Sequence, residues 1–358
     1  FEIGISNSFM IVYRDLYEQI ISPENLFLSW EKFKKGKRDK RDVAKFEFDL
    51  ERKIFKLHRD LKNKTYKHGP YFGFYIRDPK VRHIHKATVR DRILHHAIFR
   101  ILNPIFEPTF IPTSFSCRVG KGNHKGVYVL EDMARKVSKN YTRNCFALKC
   151  DIRKFFDSVD HKILLNLLAR KIRDENTLWL LREIIGSFST SGTLFDKRGL
   201  PIGNLTSQLF ANVYMNELDQ FVKHELKVKY YARYTDDFVI LSDTHVDFDA
   251  LLSKIERFLK DQLSLSLNPN KVQVRRLRHG IDFLGYVIRP HHKLPRAKTR
   301  RRVTRKLRQR VEEYREEEID EFTLTQSLHS YLGLLSHANT HRFAEELKNR
   351  LWFWLGDK

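Results

Sequence analysis

The sequence Tyr234-Thr235-Asp236-Asp237 constrains the fold of this chain more than any other feature. It lies between two stretches, 229–233 and 238–241, whose aromatic and aliphatic residues favour β-strands. This arrangement predicts a tight hairpin with two adjacent carboxylates at its turn. Like charges this close disfavour joint ionisation, and a divalent cation is the usual relief. An ordinary polar turn is the alternative interpretation, and the Asp-Asp pair alone does not exclude it.

A third carboxylate, Asp151, follows a short apolar stretch at 145–150 that predicts a β-strand. If this strand and the hairpin are neighbours in one sheet, the three carboxylates converge at its edge. Magnesium is commonly bound by one or two carboxylates and completes its shell with water and substrate phosphate oxygens. Two ions about 3.5–4 Å apart can activate an attacking 3′-hydroxyl and stabilise a departing pyrophosphate. The sequence therefore predicts a site for two Mg²⁺ ions, with Mn²⁺ as a substitute.

The charge balance indicates a polyanionic partner. The chain has 67 Lys and Arg against 44 Asp and Glu, which gives a formal net charge of +23. Nucleic acid, bound through its phosphates, is the simplest explanation. A basic protein of a membrane surface is the alternative, but the positive charge is spread along the whole sequence. No stretch approaches the length of a membrane span and no signal peptide is visible, so we expect a cytoplasmic protein without a membrane partner.

The spacing of apolar residues predicts an α+β protein. Cys117, Cys145 and Cys150 lack C-x-x-C spacing, so neither a zinc site nor a disulfide framework is expected. Ser158 or Asp160 is expected to begin a helix as its N-cap. The predicted elements are a helix over 43–63, a hairpin over 71–84 turning at Asp78-Pro79, helices over 88–102, 124–139 and 248–262, strands over 271–276 and 281–288, and helices in the last 60 residues.

Three motifs, in this order along the chain, resemble those of reverse transcriptases. Asp151–Phe156 resembles the first palm motif, Gly199–Gln208 the motif that follows it, and Tyr234–Asp237 the Y-x-D-D box. Phe283–Tyr286 is similar to the primer grip, and Lys271 lies where these enzymes carry a lysine after a palm helix. The resemblance extends from about residue 71 to the end. It implies a right-hand polymerase with fingers, an antiparallel palm sheet and a helical thumb, acting as an RNA-directed DNA polymerase.

The resemblance also implies a division into domains. The first 70 residues would form an N-terminal helical extension, with docking of template RNA and docking of a partner protein both open. We expect no additional maturase, endonuclease or RNase H domain after the thumb, and therefore a minimal polymerase. The implied boundaries are 1–70 for the extension, 71–290 for fingers and palm (fingers about 71–95 and 158–203, palm about 96–157 and 204–290) and 291–358 for the thumb.

The resemblance assigns roles at the reaction centre. Asp151 and Asp236 would be the main metal ligands, and Asp237 a third catalytic carboxylate. The backbone carbonyl of Ile152 would also face a metal ion. The ring of Phe156 would lie under the nucleotide sugar, leave no space for a 2′-hydroxyl and so select dNTPs. The alternative for Phe156 is a place in the apolar core.

Nucleotide and nucleic-acid contacts are implied in the same way. Arg82, with either Arg77 or Lys80, would clamp the triphosphate, because guanidinium groups bind phosphate oxygens in pairs; a solvated basic turn is the alternative. Lys271 would protonate the pyrophosphate or be a surface lysine. Residues 296–310 contain nine Lys or Arg and no acid, which favours contact with a duplex backbone. The implied nucleic-acid contacts are Phe283, Gly285, Tyr286, Arg300, Arg301, Arg305 and Arg308.

The middle motif points to one branch of the family. Retroviral and intron enzymes usually carry Gln-Gly followed by Ser-Pro, whereas this chain has Ile202-Gly203 followed by Ser207-Gln208. This form resembles the reverse transcriptases of diversity-generating retroelements. An Ile beside the nucleotide offers only shape where a Gln offers hydrogen bonds, and discrimination by apolar fit is weaker. Simple packing of Ile202 under its loop is the alternative. Ile202, Gly203 and Gln208 are the implied nucleotide contacts.

That branch implies a bacterial or phage-encoded enzyme that copies a template RNA with frequent errors at template adenines. Its cDNA replaces part of a target gene. The implied partners are dNTPs, a structured template RNA, the RNA/DNA duplex and a small basic oligomeric accessory protein. A phage-defence reverse transcriptase of the same lineage is the nearest alternative. An inactive nucleic-acid-binding scaffold is disfavoured by the three carboxylates, and an RNA-dependent RNA polymerase by Phe156.

Overall fold

The structure is a computed structural model that describes residues 11–78, 80–190, 197–245 and 247–356. Helices and antiparallel sheets alternate along the chain, so the predicted α+β class is confirmed. The chain divides into two compact units. The first consists of Phe1–Pro112, Asp151–Lys227 and Leu251–Pro269, and the second of Thr113–Cys150, Val228–Ala250 and Asn270–Lys358. The division into extension, fingers, palm and thumb stays a prediction.

The elements are as follows. The helices are α1 (Leu16–Ile21), α2 (Pro23–Lys34), α3 (Arg41–Glu47), α4 (Leu50–Lys62), α5 (Val89–Phe106), α6 (Asn123–Val137), α7 (Phe155–Ser158), α8 (His161–Ala169), α9 (Glu175–Gly186), α10 (Leu205–Gln220), α11 (Phe248–Leu263), α12 (Ala297–Arg315), α13 (Glu321–Leu335) and α14 (His341–Gly356). The strands are β1 (Phe72–Ile76), β2 (Arg82–Lys86), β3 (Phe146–Asp151), β4 (Tyr230–Tyr234), β5 (Asp237–Ser242), β6 (Gln273–Arg276), β7 (Ile281–Phe283), β8 (Tyr286–Arg289) and β9 (His292–Pro295).

Most predicted elements are present, but one prediction is wrong and several elements, the helices α7 and α9 among them, were not predicted. The helix predicted over 43–63 is wrong, because the chain forms two helices separated at Phe48, whose side chain is 95% exposed. Its apolar spacing continues through the break, but α3 packs against α4 and α5 while α4 also packs against α1 and α2, so tertiary contacts override the periodicity. The strand β9 was not predicted. Asp160, one of the two cap candidates, caps α8 by accepting from the N–H groups of Lys162 and Ile163.

The first unit is built around α5, a long helix with several fully buried residues. Leu94, Ile98 and Leu102 are buried there, and α2 packs against it, with the ring of Phe33 5.8 Å from that of His96. The predicted hairpin is present as β1 and β2, paired antiparallel from Phe72↔Lys86 to Ile76↔Arg82, although Pro79 of its turn lies outside the described residues. Because β2 leads directly into α5, the buried helix supports an exposed hairpin.

A buried carboxylate, Asp91, fixes the junction between the hairpin and α5. It accepts hydrogen bonds from the Tyr66 hydroxyl (2.8 Å), the Gly69 N–H (3.1 Å) and the Thr88 hydroxyl (2.5 Å). Burial alone would raise the pKa of Asp91, but the nearby His68 and the hydrogen bonds from Thr88 and Tyr66 hold it below its usual value. The ionised form of Asp91 therefore ties the segment before β1 to the first turn of α5.

The second unit contains a four-stranded sheet in the order β4-β5-β3-β6 and a three-stranded sheet in the order β7-β8-β9. The helix α6 packs against β4, β5 and β8. Phe115, Leu130, Val239 and Phe283 belong to the apolar core that forms there. The sheet thereby brings β3, which ends at Asp151, beside β5, which begins at Asp237.

The last three helices form a small bundle with its own core. The helices predicted for the last 60 residues are confirmed, and Val303, Leu307 and Val311 of α12 are buried against residues of α13 and α14. Within the described residues, no helix is long and apolar enough to cross a membrane. All three cysteines are free thiols in the structure.

Candidate active site

The paired aspartates lie at a two-residue turn, as the sequence predicts. Tyr234 pairs with Asp237, so Thr235 and Asp236 alone connect β4 to β5. Thr235 has a φ of 56°, which is uncommon for a β-branched residue and requires support from its surroundings. Both aspartates are half-buried.

Arg233 and two serines supply that support. The Arg233 side chain is fully buried and donates to the carbonyl of Thr235 (2.9 Å) and to the Ser114 hydroxyl (3.1 Å). The Thr235 hydroxyl donates to that of Ser116 (2.6 Å). On the backbone, Arg233 pairs with the 113–115 segment through its N–H and its carbonyl. The turn that carries Asp236 is therefore held by at least three side-chain hydrogen bonds.

Asp237 contacts a lysine of the neighbouring strand. The Lys149 Nζ lies 3.3 Å from Asp237 Oδ2 and also donates to the backbone carbonyl of Asp282 at 2.9 Å. Lys149 is near the end of β3 and Asp237 begins β5, so these two strand ends are adjacent. Lys149 and Asp151 lie on the same face of β3, since side chains two residues apart in a strand share a face.

The backbone beyond β3 runs antiparallel to residues 266–268. The carbonyl of Asp151 accepts from Asn268 N–H (2.8 Å), and Arg153 N–H donates to Ser266 (2.9 Å). These bonds flank Ile152, whose side chain is buried, so the Ile152 carbonyl takes no part in this pairing. That geometry is compatible with the predicted use of this carbonyl as a ligand.

The donor set suits a hard divalent cation. Asp151, Asp236, Asp237 and the Ile152 carbonyl offer oxygen atoms only, which is the ligand chemistry of Mg²⁺. In the described part of the chain, no group of three or more His, Cys, Asp or Glu side chains forms a ready metal cage. Magnesium does not need such a cage, because it usually takes one or two carboxylates together with water and substrate phosphates. The oxygen ligands that these residues offer therefore fit the chemistry of magnesium.

In the first unit, Phe156 lies beside the loop 199–204. Phe155 is buried and Phe156 is half-buried, with their rings edge to face at 5.3 Å, so Phe155 is the core residue of the pair. The carbonyl of Phe156 accepts from Leu200 N–H at 2.7 Å. This bond joins the Asp151–Phe156 motif to the loop that carries Ile202.

Ile202 and Gly203 lie next to the hairpin strand β2. His85 N–H donates to the Ile202 carbonyl at 2.9 Å. Gly203 has a φ of 110°, and a Cβ at this position would lie 2.7 Å from the Ile84 Cγ2 atom, so only glycine fits without movement. Gln208 is half-buried in the first turn of α10. The structure thus brings Ile202 and the hairpin together.

The hairpin is exposed, basic and aromatic. Arg77 and Lys80 lie in its turn and Arg82 begins β2, and all three are exposed. Phe72 and Tyr75 are 70% and 64% exposed. Exposed rings beside cationic side chains are typical of surfaces on which bases stack and phosphates bind. The choice between Arg77 and Lys80 as the partner of Arg82 stays open.

The remaining predicted contacts belong to the second unit. Lys271 is exposed in a short 3₁₀ turn. Leu284 and Gly285 form the turn between β7 and β8, both with positive φ. Phe283 is fully buried, and the Tyr286 hydroxyl donates to the Leu334 carbonyl at 3.2 Å. The side chains of Phe283 and Tyr286 therefore serve packing, and the primer contact predicted for this turn stays a prediction.

The predicted thumb arginines line a groove between α12 and α14. The groove has a volume of about 650 Å³, and the guanidinium of Arg300 lies 5.9 Å from the centre of the Phe343 ring. Arg350 of α14 lines the opposite side, which the sequence did not predict. The predicted arginines in this groove, all of them exposed, are Arg300, Arg301, Arg305 and Arg308.

The order of these motifs along the chain indicates one class of protein, and comparison with known families agrees. The profile of the reverse transcriptase (RNA-dependent DNA polymerase) family matches residues 67–288. The chain belongs to this family.

Curated relatives are similar over much of the chain. Protein YkfC of Escherichia coli is 26% identical over 242 residues, covering 58% of this chain and 63% of that protein. The group II intron-encoded protein LtrA of Lactococcus lactis is 24% identical over 348 residues, covering 78% of this chain and 57% of LtrA. The chain therefore spans less than two thirds of the length of these relatives. A solved telomerase from Candida albicans, in complex with a fragment of telomeric RNA, aligns with a TM-score of 0.45 at 11% identity, covering 74% of this chain and 54% of that one.

Three residues important to this geometry were not predicted. Lys149 had a usable signal, because it lies two residues before Asp151 on a predicted strand. Arg233 was a charged residue inside an otherwise apolar strand, which is unusual enough to suggest a specific partner. Asn204, whose contacts are described below, had no signal beyond its place at a helix start.

Proposed function

We propose that this chain is an RNA-directed DNA polymerase that synthesises cDNA on a template RNA by two-metal nucleotidyl transfer. The observation that carries the proposal is the adjacency of two strand ends. The hairpin presents Asp236 and Asp237 at the start of β5, beside the end of β3 where Asp151 lies. Membership of the reverse transcriptase family supports the same reaction.

The proposed roles follow from the chemistry of each side chain. Asp151 and Asp236 would hold two magnesium ions, with Asp237 as a third carboxylate and the Ile152 carbonyl as a further ligand. Bound magnesium would activate the primer 3′-hydroxyl and stabilise the departing pyrophosphate. Arg233, Ser114 and Ser116 would keep Asp236 in position, because they hold the turn that carries it.

Nucleotide binding would use the first unit. Arg82, with Arg77 or Lys80, would bind the triphosphate, and Phe156 would exclude a 2′-hydroxyl. Ile202, Gly203 and Gln208 would border the base and sugar, and Lys271 would donate a proton to the pyrophosphate. The backbone around Gly285 and the arginines of the α12–α14 groove would hold the template–primer duplex. Its phosphates suit a groove lined by guanidinium groups.

Within the family, we infer the branch that serves diversity-generating retroelements. Ile202 supports this because it replaces a polar group beside the nucleotide with one that discriminates by shape alone. On this interpretation the enzyme is bacterial or phage-encoded, and it copies template adenines with frequent errors. It works with a small basic oligomeric accessory protein.

The activity is tested with purified protein, an RNA template, a DNA primer, dNTPs and Mg²⁺. Asp236→Ala and Asp151→Ala should each reduce cDNA synthesis by at least about a thousandfold, since each removes charge stabilisation of the transition state. RNA affinity, measured by filter binding, should stay within about twofold, because neither residue is a cation that binds phosphate.

The matched control is Asp261→Ala, which removes an exposed carboxylate of α11. It should leave both measurements unchanged. Full cDNA synthesis by either Asp236→Ala or Asp151→Ala would rule out the assigned site. No synthesis by the wild-type chain, alone or with its accessory protein, would support an inactive scaffold.

A further inference from the structure

Asn204 occupies the N-cap position of α10 but does not cap that helix. Asn is favoured at an N-cap because its side-chain oxygen accepts a hydrogen bond from an N–H of the first turn. Here the side chain makes no such bond to α10. Its Nδ2 donates instead to the backbone carbonyl of His85, 119 residues earlier, at 2.8 Å. A side chain that bonds to a distant backbone group instead of capping its own helix indicates a functional constraint.

The bond from Asn204 is one half of a clasp on the strand β2. The other half is the bond from His85 N–H to the Ile202 carbonyl at 2.9 Å. Residues 202 and 204 thus hold both backbone polar groups of His85. Between them, Gly203 packs so closely on Ile84 that a Cβ would clash. Three consecutive residues therefore fix the position of one strand residue.

Among the described residues the exposed hairpin has few anchors, and this clasp is one of them, together with the ion pair between Lys86 and Asp42 at 2.7 Å. The hairpin strands are largely exposed, with β1 exposed along its whole length. Arg82 precedes His85 by three residues, a span of about 10 Å in a strand. The ring of His85 also contacts Phe188, with centroids 4.6 Å apart. Loss of the clasp should therefore loosen the hairpin without releasing it.

We propose that Asn204 is a positioning residue, which holds the phosphate-binding hairpin against the Ile202 loop and thereby sets the affinity for the incoming dNTP. This inference rests on the proposed polymerase function. Asn204 need not touch the nucleotide. It acts through the His85 backbone, which links the hairpin arginines to the loop that borders the base.

Asn204→Asp is the sharpest test. The substitution preserves shape and N-cap propensity, so α10 should keep its stability. It removes the donor and places a carboxylate oxygen against the His85 carbonyl. Hydrogen exchange of the segment 82–88, followed by mass spectrometry in the nucleotide-free protein, should accelerate about tenfold. Asn204→Ala should give a similar acceleration, because it also lacks the donor.

Asp320→Ala is the matched control for loss of a helix cap. Asp320 accepts from the N–H of Thr323 at 2.9 Å at the start of α13. Its removal should leave exchange of the segment 82–88 unchanged. Unchanged exchange in both Asn204 variants would overturn the clasp, whether or not the enzyme is active.

Steady-state kinetics then tests the link to the nucleotide. Asn204→Asp should raise the KM for dNTP about tenfold and change kcat by less than about threefold, because binding geometry is lost and the carboxylate centre is intact. Faster exchange with an unchanged KM would overturn the inference while leaving the polymerase function standing. A wild-type chain without DNA synthesis would overturn the proposed function and this inference with it, although the exchange result would still report on the clasp.

Discussion

The Lys149 ammonium lies 3.3 Å from the Asp237 carboxylate, so a strand that ends in one candidate metal ligand also supplies a cation to another. Both side chains are about one fifth exposed, which limits screening by solvent. Lys149 is further fixed by its bond to the Asp282 carbonyl. The ion pair between Lys149 and Asp237 explains how the charge repulsion between two adjacent aspartates at one turn is offset without a metal ion.

We predict that Lys149→Met lowers the Mg²⁺ concentration needed for half-maximal activity. A fixed positive charge near the carboxylates opposes cation binding, and two unit charges 4 Å apart interact by about 4 kcal/mol at an effective dielectric constant of 20. After screening, we expect a decrease of about tenfold. Magnesium titration of primer extension measures it. Lys149→Arg, which keeps the charge, is the control, and a higher magnesium requirement in Lys149→Met would contradict the prediction.

Phe156→Ala should admit ribonucleotides. The half-buried ring would be the group that excludes the 2′-hydroxyl, so its removal should reduce the preference for dNTP over rNTP on the order of a hundredfold. The measurement is the ratio of kcat/KM for dGTP and GTP on the same template. Phe155→Ala is the matched control, because it removes the neighbouring buried ring and should reduce stability by about 3–5 kcal/mol without changing that ratio. If Phe155→Ala changes the ratio and Phe156→Ala does not, the assignment is reversed.

Ile202→Gln should reduce errors at template adenines. A Gln can form hydrogen bonds to sugar or base, and polar contacts discriminate more strongly than apolar fit. Sequencing of the cDNA should show an error rate at adenine that is lower by about tenfold. Ile202→Leu keeps an apolar side chain of equal volume and should preserve the wild-type spectrum. If Ile202→Gln has the same error spectrum as the wild type, Ile202 does not support assignment to the retroelement branch.

The free energy of unfolding should fall as the pH decreases from 7 to 5. Burial lowers the pKa of His95 to about 3, and burial with nearby Lys37, Lys32 and Arg92 lowers that of His96 to about 4. Both are neutral in the folded protein in this range but take up protons in the unfolded chain, where the pKa is about 6.5. Because the unfolded state binds more protons, stability decreases on acidification.

Each of these histidines should contribute about 1–2 kcal/mol to that decrease. Urea unfolding of the wild type at the two pH values measures the total, and His96→Gln should remove its share. The exposed His329 serves as control, since His329→Gln should leave the pH dependence intact. A wild-type stability that does not change between pH 7 and pH 5 would contradict the prediction.

Sequence patterns were most informative where the signal is local. Two strand-forming stretches flank Tyr234–Asp237, which predicted a turn there, and the hairpin β4–β5 turns at these residues with Tyr234 paired to Asp237. The stripe of Val303, Leu307 and Val311 required a helix that buries one face, and α12 does so. The helix predicted over 43–63 shows the limit of local patterns. Its apolar residues have helical spacing, but packing of its two halves against different helices breaks it at Phe48.

The sequence by itself determined which chemical groups this chain can offer: three carboxylates at the ends of strands, a basic exposed hairpin and a helix rich in arginine. Only the tertiary structure decided which other residues hold these groups in position. Lys149 contacts Asp237, which lies 88 residues further along the chain, and Asn204 donates to His85, which lies 119 residues earlier. Local residue spacing does not predict such contacts, because they arise from the order of strands in the sheet and from the packing of loops on strands.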